Sequence, residues 1–385
     1  MIRVLVCDGE GTLGLPNPPT ELLSQINNLQ QLGIVIAVAT NQSSEVAIKQ
    51  TFANAGLKSP AIVVTKRDVG AVKPSPLFIE AISRKLKTPI TEIAYLGDSD
   101  KTDMLCAINA KVLPFAALYS DSSLAYGLPV QVPKAFFVDY LPTFGIQPAP
   151  YFGWTCQKGN IDIRALFLDH ARLNLTQPLK SLLKSGGKPT LGSRKIPLVQ
   201  IVFQYFVSQA LFSGLASEVD IITTYPGHDA GRLHPLLDDF SQQLTRIFRN
   251  RHISNLLIRH TTAPASHLSR ERAASTQFRT LHVNPVYKKR VKGRTVLVLD
   301  DFSTNGYSFE AARNMLLLAG ATRVVCVAIA KYKSNHISVS PTCTWDPFAP
   351  CILNEKDLNF NTISGERNES ADDYFAKTIY AHYSR

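Results

Sequence analysis

Two clusters of carboxylates are set apart by their spacing. Asp8 and Glu10, in Asp8-Gly9-Glu10-Gly11-Thr12-Leu13, follow the apolar run Val4 to Cys7. At a strand end, residues i and i+2 can set one carboxylate for in-line attack on phosphorus and the other for proton transfer to the leaving oxygen. The second cluster, Asp300-Asp301, ends the run Val296-Leu297-Val298-Leu299 and precedes Phe302-Ser303-Thr304-Asn305-Gly306-Tyr307-Ser308. There a small polar loop opens a helix near Phe309. Backbone N–H groups and the hydroxyls of Ser303, Thr304 and Ser308 can take a phosphate, and the Asp pair can take ribose hydroxyls, directly or through metal.

Both clusters need strands to aim them, and the sequence supplies the pattern. Val4 to Cys7, Ile34 to Thr40, Ala61 to Thr65 and Glu92 to Leu96 read as strands, with helices over Glu21 to Leu32, Glu45 to Ala55 and Ser75 to Leu86 between them. Such alternation predicts a parallel sheet with helices on both faces, whose sites lie at the carboxyl ends of the strands. Pro129, Pro133, Pro142, Pro148 and Pro150 interrupt the pattern and place a boundary near residue 148. A second alternation follows: strand Val219 to Thr224, helix Pro235 to Phe248, strands Asn255 to Arg259 and Thr295 to Leu299, helix Phe309 to Ala319 and strand Arg323 to Ala330. Past Ser334 the period is lost, which predicts loops or an accessory tail. The expected fold class is therefore α/β, with two doubly wound parallel-sheet domains, 1–148 and 149–335, and an accessory segment at 336–385.

A chain of 385 residues exceeds what one core organises, and 45% hydrophobic with 18% charged residues fits two globular domains. The opening Met1 to Asp8 lacks the apolar stretch of a secretion signal. Ile196 to Ala216 carries Gln200, Gln204, Ser208 and Gln209, costly in lipid, so a buried helix is expected and no membrane partner. Six scattered cysteines without a CxxC pair suit a reducing, cytoplasmic setting. The net charge of +11 sits in one block, residues 245–294, where Glu271 is the one acidic residue. A solvated face, nucleic-acid binding or a funnel for an anionic small substrate would each account for it.

The first cluster resembles the opening motif of haloacid dehalogenase-type phosphatases, a hydrophobic strand followed by Asp-x-Asp-Gly-Thr. Three later motifs come in that family's order: Thr40 at the end of a strand, Lys73 in Val72-Lys73-Pro74-Ser75-Pro76, and Gly97-Asp98-Ser99-Asp100-Lys101-Thr102-Asp103. The resemblance covers about the first 130 residues and implies roles. Asp8 is the nucleophile that forms an aspartyl-phosphate, and Glu10 the acid and base. Thr40 binds the phosphoryl group, and Lys73 offsets charge. Mg²⁺ would be held by Asp8, the backbone carbonyl of Glu10 and Asp98, with Asp103 or Asp100 behind them. Glu10 departs from the family's usual Asp by one methylene, which moves the acid by about an ångström and alters its aim. The short gap from Asp8 to Thr40 leaves no room for a large inserted cap domain.

The second cluster is similar to the phosphoribosyl pyrophosphate motif of type I phosphoribosyltransferases. Asn305 stands for a common Thr and Tyr307 for a usually small residue. The resemblance implies binding by Asp300, Asp301, Ser303, Thr304, Asn305, Gly306 and Ser308. Thr223-Thr224-Tyr225-Pro226-Gly227-His228 takes the place of the pyrophosphate loop, giving Tyr225 and Gly227 as candidates. Residues about 151–335, including Leu182 to Lys188, Asn255 to His260 and Arg270-Glu271-Arg272, resemble competence-associated (ComF-like) phosphoribosyltransferases. Within the basic block, Arg270, Arg272 and Arg279 are the candidates for a mobile loop over departing pyrophosphate.

Together these readings predict a bifunctional enzyme. One half would transfer 5-phosphoribosyl from phosphoribosyl pyrophosphate to a small-molecule acceptor. The other would remove the 5′-phosphate to give a riboside, with Mg²⁺ as cofactor. A nucleic-acid-binding or regulatory protein that keeps the phosphoribosyl fold as a sensor is the alternative, and either form is compatible with a homo-oligomer.

Overall fold

The computed structural model describes residues 2–9, 11–13, 20–130, 141, 151–168, 190–191, 196–248, 250–263 and 274–384. The expected boundary near residue 148, the Leu182 to Lys188 segment, Glu10, Arg270 and Arg272 lie outside these. The chain forms two compact units. One comprises Met1–Ala149 with Ala210–Ser217 and Arg246–Arg249, and the other comprises the remainder.

In the first unit, strands β1 (Val4–Cys7), β2 (Val35–Thr40), β3 (Ile62–Thr65), β4 (Ile93–Gly97), β5 (Leu113–Ala116) and β6 (Leu128–Pro129) form one sheet in the order β3-β2-β1-β4-β5-β6. Every pairing in it is parallel. Near-continuous burial of β1 and β4 is what a sheet covered on both faces requires. Helices Thr20–Gln31, Glu45–Asn54 and Leu77–Leu86 connect the strands. β1 lies between β2 and β4, so the strand order reverses beside it and the residues following β1 sit at the switch point.

The second unit opens with a hairpin that the sequence reading missed. β7 (Trp154–Lys158) and β8 (Ile161–Leu168) pair antiparallel across Gly159-Asn160, with Gly159 at φ 60°. A glycine-asparagine pair between β-rich runs was the available signal. The short strands β9 (Thr190–Leu191) and β10 (Ile196–Pro197) pair with each other. The main sheet adds β11 (Ile221–Thr224) and β12 (Arg251–His252). The expected strand at Asn255–Arg259 is instead β13 (Leu257–Arg259), which pairs antiparallel with β14 (Leu281–Val283) outside the main sheet. β12 takes the place beside β11. Then come β15 (Thr295–Ser303) and β16 (Arg323–Lys331), joined by helix Tyr307–Leu318.

Past Ser334 the chain does not run on as loops. β17 (Asn335–Pro341) and β18 (Leu358–Ser364) form a hairpin, and β19 (Glu366–Arg367) pairs with β7, giving the main sheet the order β12-β11-β15-β16-β8-β7-β19. β18 is polar at Asn359, Asn361, Thr362 and Ser364 and exposed along most of its length, so no regular alternation marked it as a strand. Further on, Phe375 is fully buried, its ring 4.5 Å from that of Phe167 and 4.9 Å from that of Tyr205. Phe375→Ala is therefore expected to lower unfolding stability by about 3–5 kcal/mol. Denaturant titration checks this; a loss under about 1 kcal/mol would show that the tail is not part of the core. The helix Leu198–Phe212 falls within the expected buried helix, and among the described residues no helix is long and apolar enough to cross a membrane.

Candidate active site

Asp8 follows β1, Thr40 ends β2 and Asp98 follows β4, so three side chains distant in sequence meet at the carboxyl ends of adjacent parallel strands. They line an open cavity of about 640 Å³ with Lys73, Gln42 and Lys66. Lys73 Nζ donates to Asp8 Oδ1 at 2.6 Å and to Asp103 Oδ1 at 2.5 Å, and lies 3.3 Å from the Tyr95 hydroxyl. Burial opposes the charge on Lys73, but Asp8 and Asp103 together hold its ammonium above the ordinary value, so the lysine stays a cation beside Asp8. Burial, reinforced by the Asp103 charge, keeps the Tyr95 hydroxyl protonated, and it donates to Asp103 at 3.0 Å. The backbone N–H of Lys73 donates to Asn41 Oδ1 at 2.8 Å, which ties the lysine to the end of β2.

Asp98 is held separately. Ser120 Oγ donates to its Oδ2 at 3.1 Å and Thr12 Oγ1 to its Oδ1 at 3.4 Å. A Cβ at position 11 would stand 1.6 Å from Asp98 Oδ2, so only glycine admits the carboxylate there. Ligand oxygens of Asp8, Asp98 and Asp103 all lie within 4.8 Å of one another. An all-carboxylate donor set of this kind suits a hard divalent cation such as Mg²⁺. Asp100 is engaged elsewhere, its oxygens accepting from Ala125 N and Tyr126 N at 2.8 and 3.1 Å. That leaves Asp103 as the member of the expected pair that faces the cluster. Tyr95 and Ser120 escaped the sequence reading: a tyrosine inside an apolar strand and a serine in a loop carry no signal until the fold brings them to the carboxylates.

The second cluster also assembles at strand ends. β15 continues through the Asp pair to Ser303, pairing Asp300 with Ala328 and Ser303 with Lys331, so the strand is longer than expected and the loop shorter. Ser303 is consequently a buried strand residue whose hydroxyl has no partner among the described residues, rather than a loop hydroxyl. Gly306 has φ 95° and caps the helix Tyr307–Leu318, so the first-turn N–H groups of that helix lie at the loop. A Cβ on Gly306 would come within 2.3 Å of the His336 ring. Behind it, His336 Nε2 lies 2.7 Å from Glu310 Oε1, and Arg313 Nη2 donates to Glu310 Oε2 at 2.6 Å. The loop carbonyls are also tied: Lys331 Nζ donates to Thr304 O at 2.6 Å, and Ile337 N donates to Asn305 O at 3.0 Å. Burial and the adjacent Asp301 carboxylate push Asp300 well above the usual carboxylate range, so a cation or hydroxyl donors would suit the pair.

Tyr225 and Arg259 face this loop. Arg259 donates to Gly227 O at 2.5 Å, Gln277 Oε1 at 3.1 Å and the Tyr225 hydroxyl at 3.2 Å. Tyr225 donates to Gln277 Oε1 at 2.6 Å and also bonds Ser308; burial pushes its hydroxyl up to about 12. Gly227 is not a free donor, because its N–H goes to Arg232 O at 3.0 Å. Arg279 is exposed, and among the described residues Arg259 is the arginine of the basic block that reaches the loop residues. A charged residue closing the apolar run Leu256-Leu257-Ile258 was the signal for it. Lys288 to Arg294 lie elsewhere: they precede β15 at its amino end, about 16 Å along the strand from Asp300, so they do not line the loop.

Residues 15–117 match the family described as haloacid dehalogenase-like hydrolase; the stretch includes Thr40, Lys73, Asp98 and Asp103 and begins after Asp8 and Glu10. No curated protein matches the chain. Among solved structures, an uncharacterized protein from Listeria monocytogenes is 16% identical, covering 36% of this chain and 98% of that one at a TM-score of 0.30. A HAD-superfamily hydrolase from Geobacter sulfurreducens is also 16% identical, covering 35% of this chain and 98% of that one at a TM-score of 0.27. A HAD phosphatase from Thermococcus onnurineus is 16% identical, covering 31% of this chain and 56% of that one at a TM-score of 0.28. None of these structural likenesses bears on activity.

Proposed function

We propose that the N-terminal haloacid dehalogenase-like hydrolase domain is a Mg²⁺-dependent phosphomonoesterase, and that the second unit supplies its substrate by phosphoribosyl transfer. The observation that carries the first half is the array Asp8–Lys73–Asp103, with Thr40 and Asp98 beside it at the carboxyl ends of one parallel sheet.

In this reading an Asp8 carboxylate oxygen attacks phosphorus while Lys73 shields its charge and the Thr40 hydroxyl holds the phosphoryl oxygens. Glu10 gives its proton to the departing ester oxygen, leaving an aspartyl-phosphate and an alcohol. Glu10 then takes a proton from water, whose oxygen attacks phosphorus, releasing phosphate and restoring Asp8. Asp8 and Asp98, with Asp103 behind, would hold a Mg²⁺ ion, which would supply electrostatic stabilisation of phosphoryl charge.

In the second unit, Asp300 and Asp301 would accept from the ribose hydroxyls, and the N–H groups at Gly306 to Ser308 would hold the 5′-phosphate. A nucleophilic atom of the acceptor forms the bond to C1′ as pyrophosphate leaves. What supports this reading is the strand, carboxylate pair, glycine-capped helix and facing Tyr225–Arg259 pair at the carboxyl ends of adjacent strands. The product bears the phosphate that the first domain removes, and tethering raises its local concentration.

The first test is phosphate release from sugar and nucleoside monophosphates. Turnover is expected with Mg²⁺, loss on chelation and recovery on adding Mg²⁺ back. Release that persists after chelation, or none from any monophosphate, sinks the phosphatase assignment.

A further inference from the structure

The candidate sites leave a strongly basic surface of the second unit unexplained. Lys288, Lys289, Arg290 and Lys292 are all exposed, and no carboxylate pairs with any of them among the described residues. The short helix Lys288–Val291 creates the arrangement: Val291 is fully buried and pins the turn to the core, so its basic neighbours fan outward. Two are held in place, Lys288 Nζ at 5.1 Å from the Phe348 ring centroid and the Arg290 guanidinium at 5.5 Å from that of Tyr287. Arg251 is exposed on β12, and Arg294 pairs with Asp220 at 3.3 Å. That carboxylate is also engaged by Thr295 N at 2.9 Å. Gly293 N donates to Gly320 O, just past the far end of helix Tyr307–Leu318, so the patch lies about one helix length, roughly 18 Å, from the loop at Gly306. Clustered like charges repel and oppose folding, and at that distance they lie beyond phosphoribosyl pyrophosphate bound at the loop.

We propose that this surface docks duplex nucleic acid through its phosphate backbone, without reading bases. A duplex presents one phosphate charge per about 1.7 Å of axis, dense enough for four fanned cations to engage several at once. Single strands are held largely by base stacking on open aromatic faces, and the rings here already carry Lys288 and Arg290. A single helical turn is too short to enter the major groove and read base edges. A lipid surface is disfavoured because the segment offers one strongly exposed aliphatic side chain, Val286, worth about 1–2 kcal/mol on burial.

The test is fluorescence anisotropy of the full chain with a duplex of about 20 base pairs across about 50–200 mM salt. Four phosphate contacts give an expected log–log slope of about −3.6 and a loss of affinity of about 150-fold over that range. Replacing Lys288, Lys289, Arg290 and Lys292 together by Glu should weaken low-salt binding at least about tenfold, with phosphate release unchanged. The milder Lys289→Ala with Lys292→Ala, which leaves both ring contacts intact, should flatten the slope by about two. Absence of duplex binding at low salt, or unchanged slopes in both variants, overturns the proposal. So does tighter binding to a single strand of the same length. Binding to phosphatidylserine vesicles that the variants abolish, while duplex affinity stays as in wild type, would assign the surface to lipid instead.

Discussion

Asp8→Asn is expected to lower phosphate release by about ten-thousand-fold or more, since a nucleophile has no substitute elsewhere in the site. The exchange keeps shape and removes charge. Lys73 is not orphaned by it, because Asp103 Oδ1 remains 2.5 Å away, so the fold should be retained. Loss of activity with an unchanged melting midpoint therefore reports chemistry rather than unfolding. Because Asp8 is also one of the three carboxylates of the acidic cluster, the variant should be assayed over a wide range of Mg²⁺. Recovery at high Mg²⁺ would mean that Asp8 serves only as a ligand, and a rate equal to wild type would remove it from the mechanism altogether.

The second large effect is expected from Asp300→Asn combined with Asp301→Asn. Amides in place of these carboxylates present N–H groups to ribose hydroxyls and forfeit the attraction for a cation, so binding of phosphoribosyl pyrophosphate should fall by at least about 100-fold. The Asp301 carboxylate accepts from Phe302 N at 2.5 Å and that of Asp300 from Asp301 N at 2.9 Å. Amide oxygens can keep both of these contacts, so the loop should hold its shape. Calorimetry with Mg²⁺ present measures the binding directly. Mass spectrometry of products made from phosphoribosyl pyrophosphate and a host metabolite extract tests the order of the two reactions. The Asp300/Asp301 variant should form no phosphorylated riboside, whereas Asp8→Asn should accumulate one. If the Asp8 variant releases the same dephosphorylated product as wild type, the two halves do not act in series.

Much of this was written into the chain locally. Apolar runs of strand length alternating with helical periods determine an α/β architecture, because the side-chain period fixes which faces must be buried. The helix Pro235–Phe248 and strand Val4–Cys7 were legible to the residue, and Asp8, Thr40, Lys73 and Asp98 were legible as strand-end or loop groups in a fixed order. Partnership was decided by the tertiary structure. Asp103 rather than Asp100 faces the carboxylate cluster because the π-helical turn Asp100–Met104 directs one toward Lys73 and leaves the other bonding a distant backbone. Among the described residues Arg259, rather than the exposed Arg279, is the cation beside Tyr225, because the pairing of β13 with β14 carries it there. The tail from Asn335 reads as irregular since β18 is polar and mostly exposed, yet long-range pairing to β7 and the burial of Phe375 make it part of the core. Sequence periodicity reports only a residue's own face. Hydrogen-bond partners and buried neighbours are set by which distant segments arrive opposite it, and that information exists only once the sheets have closed.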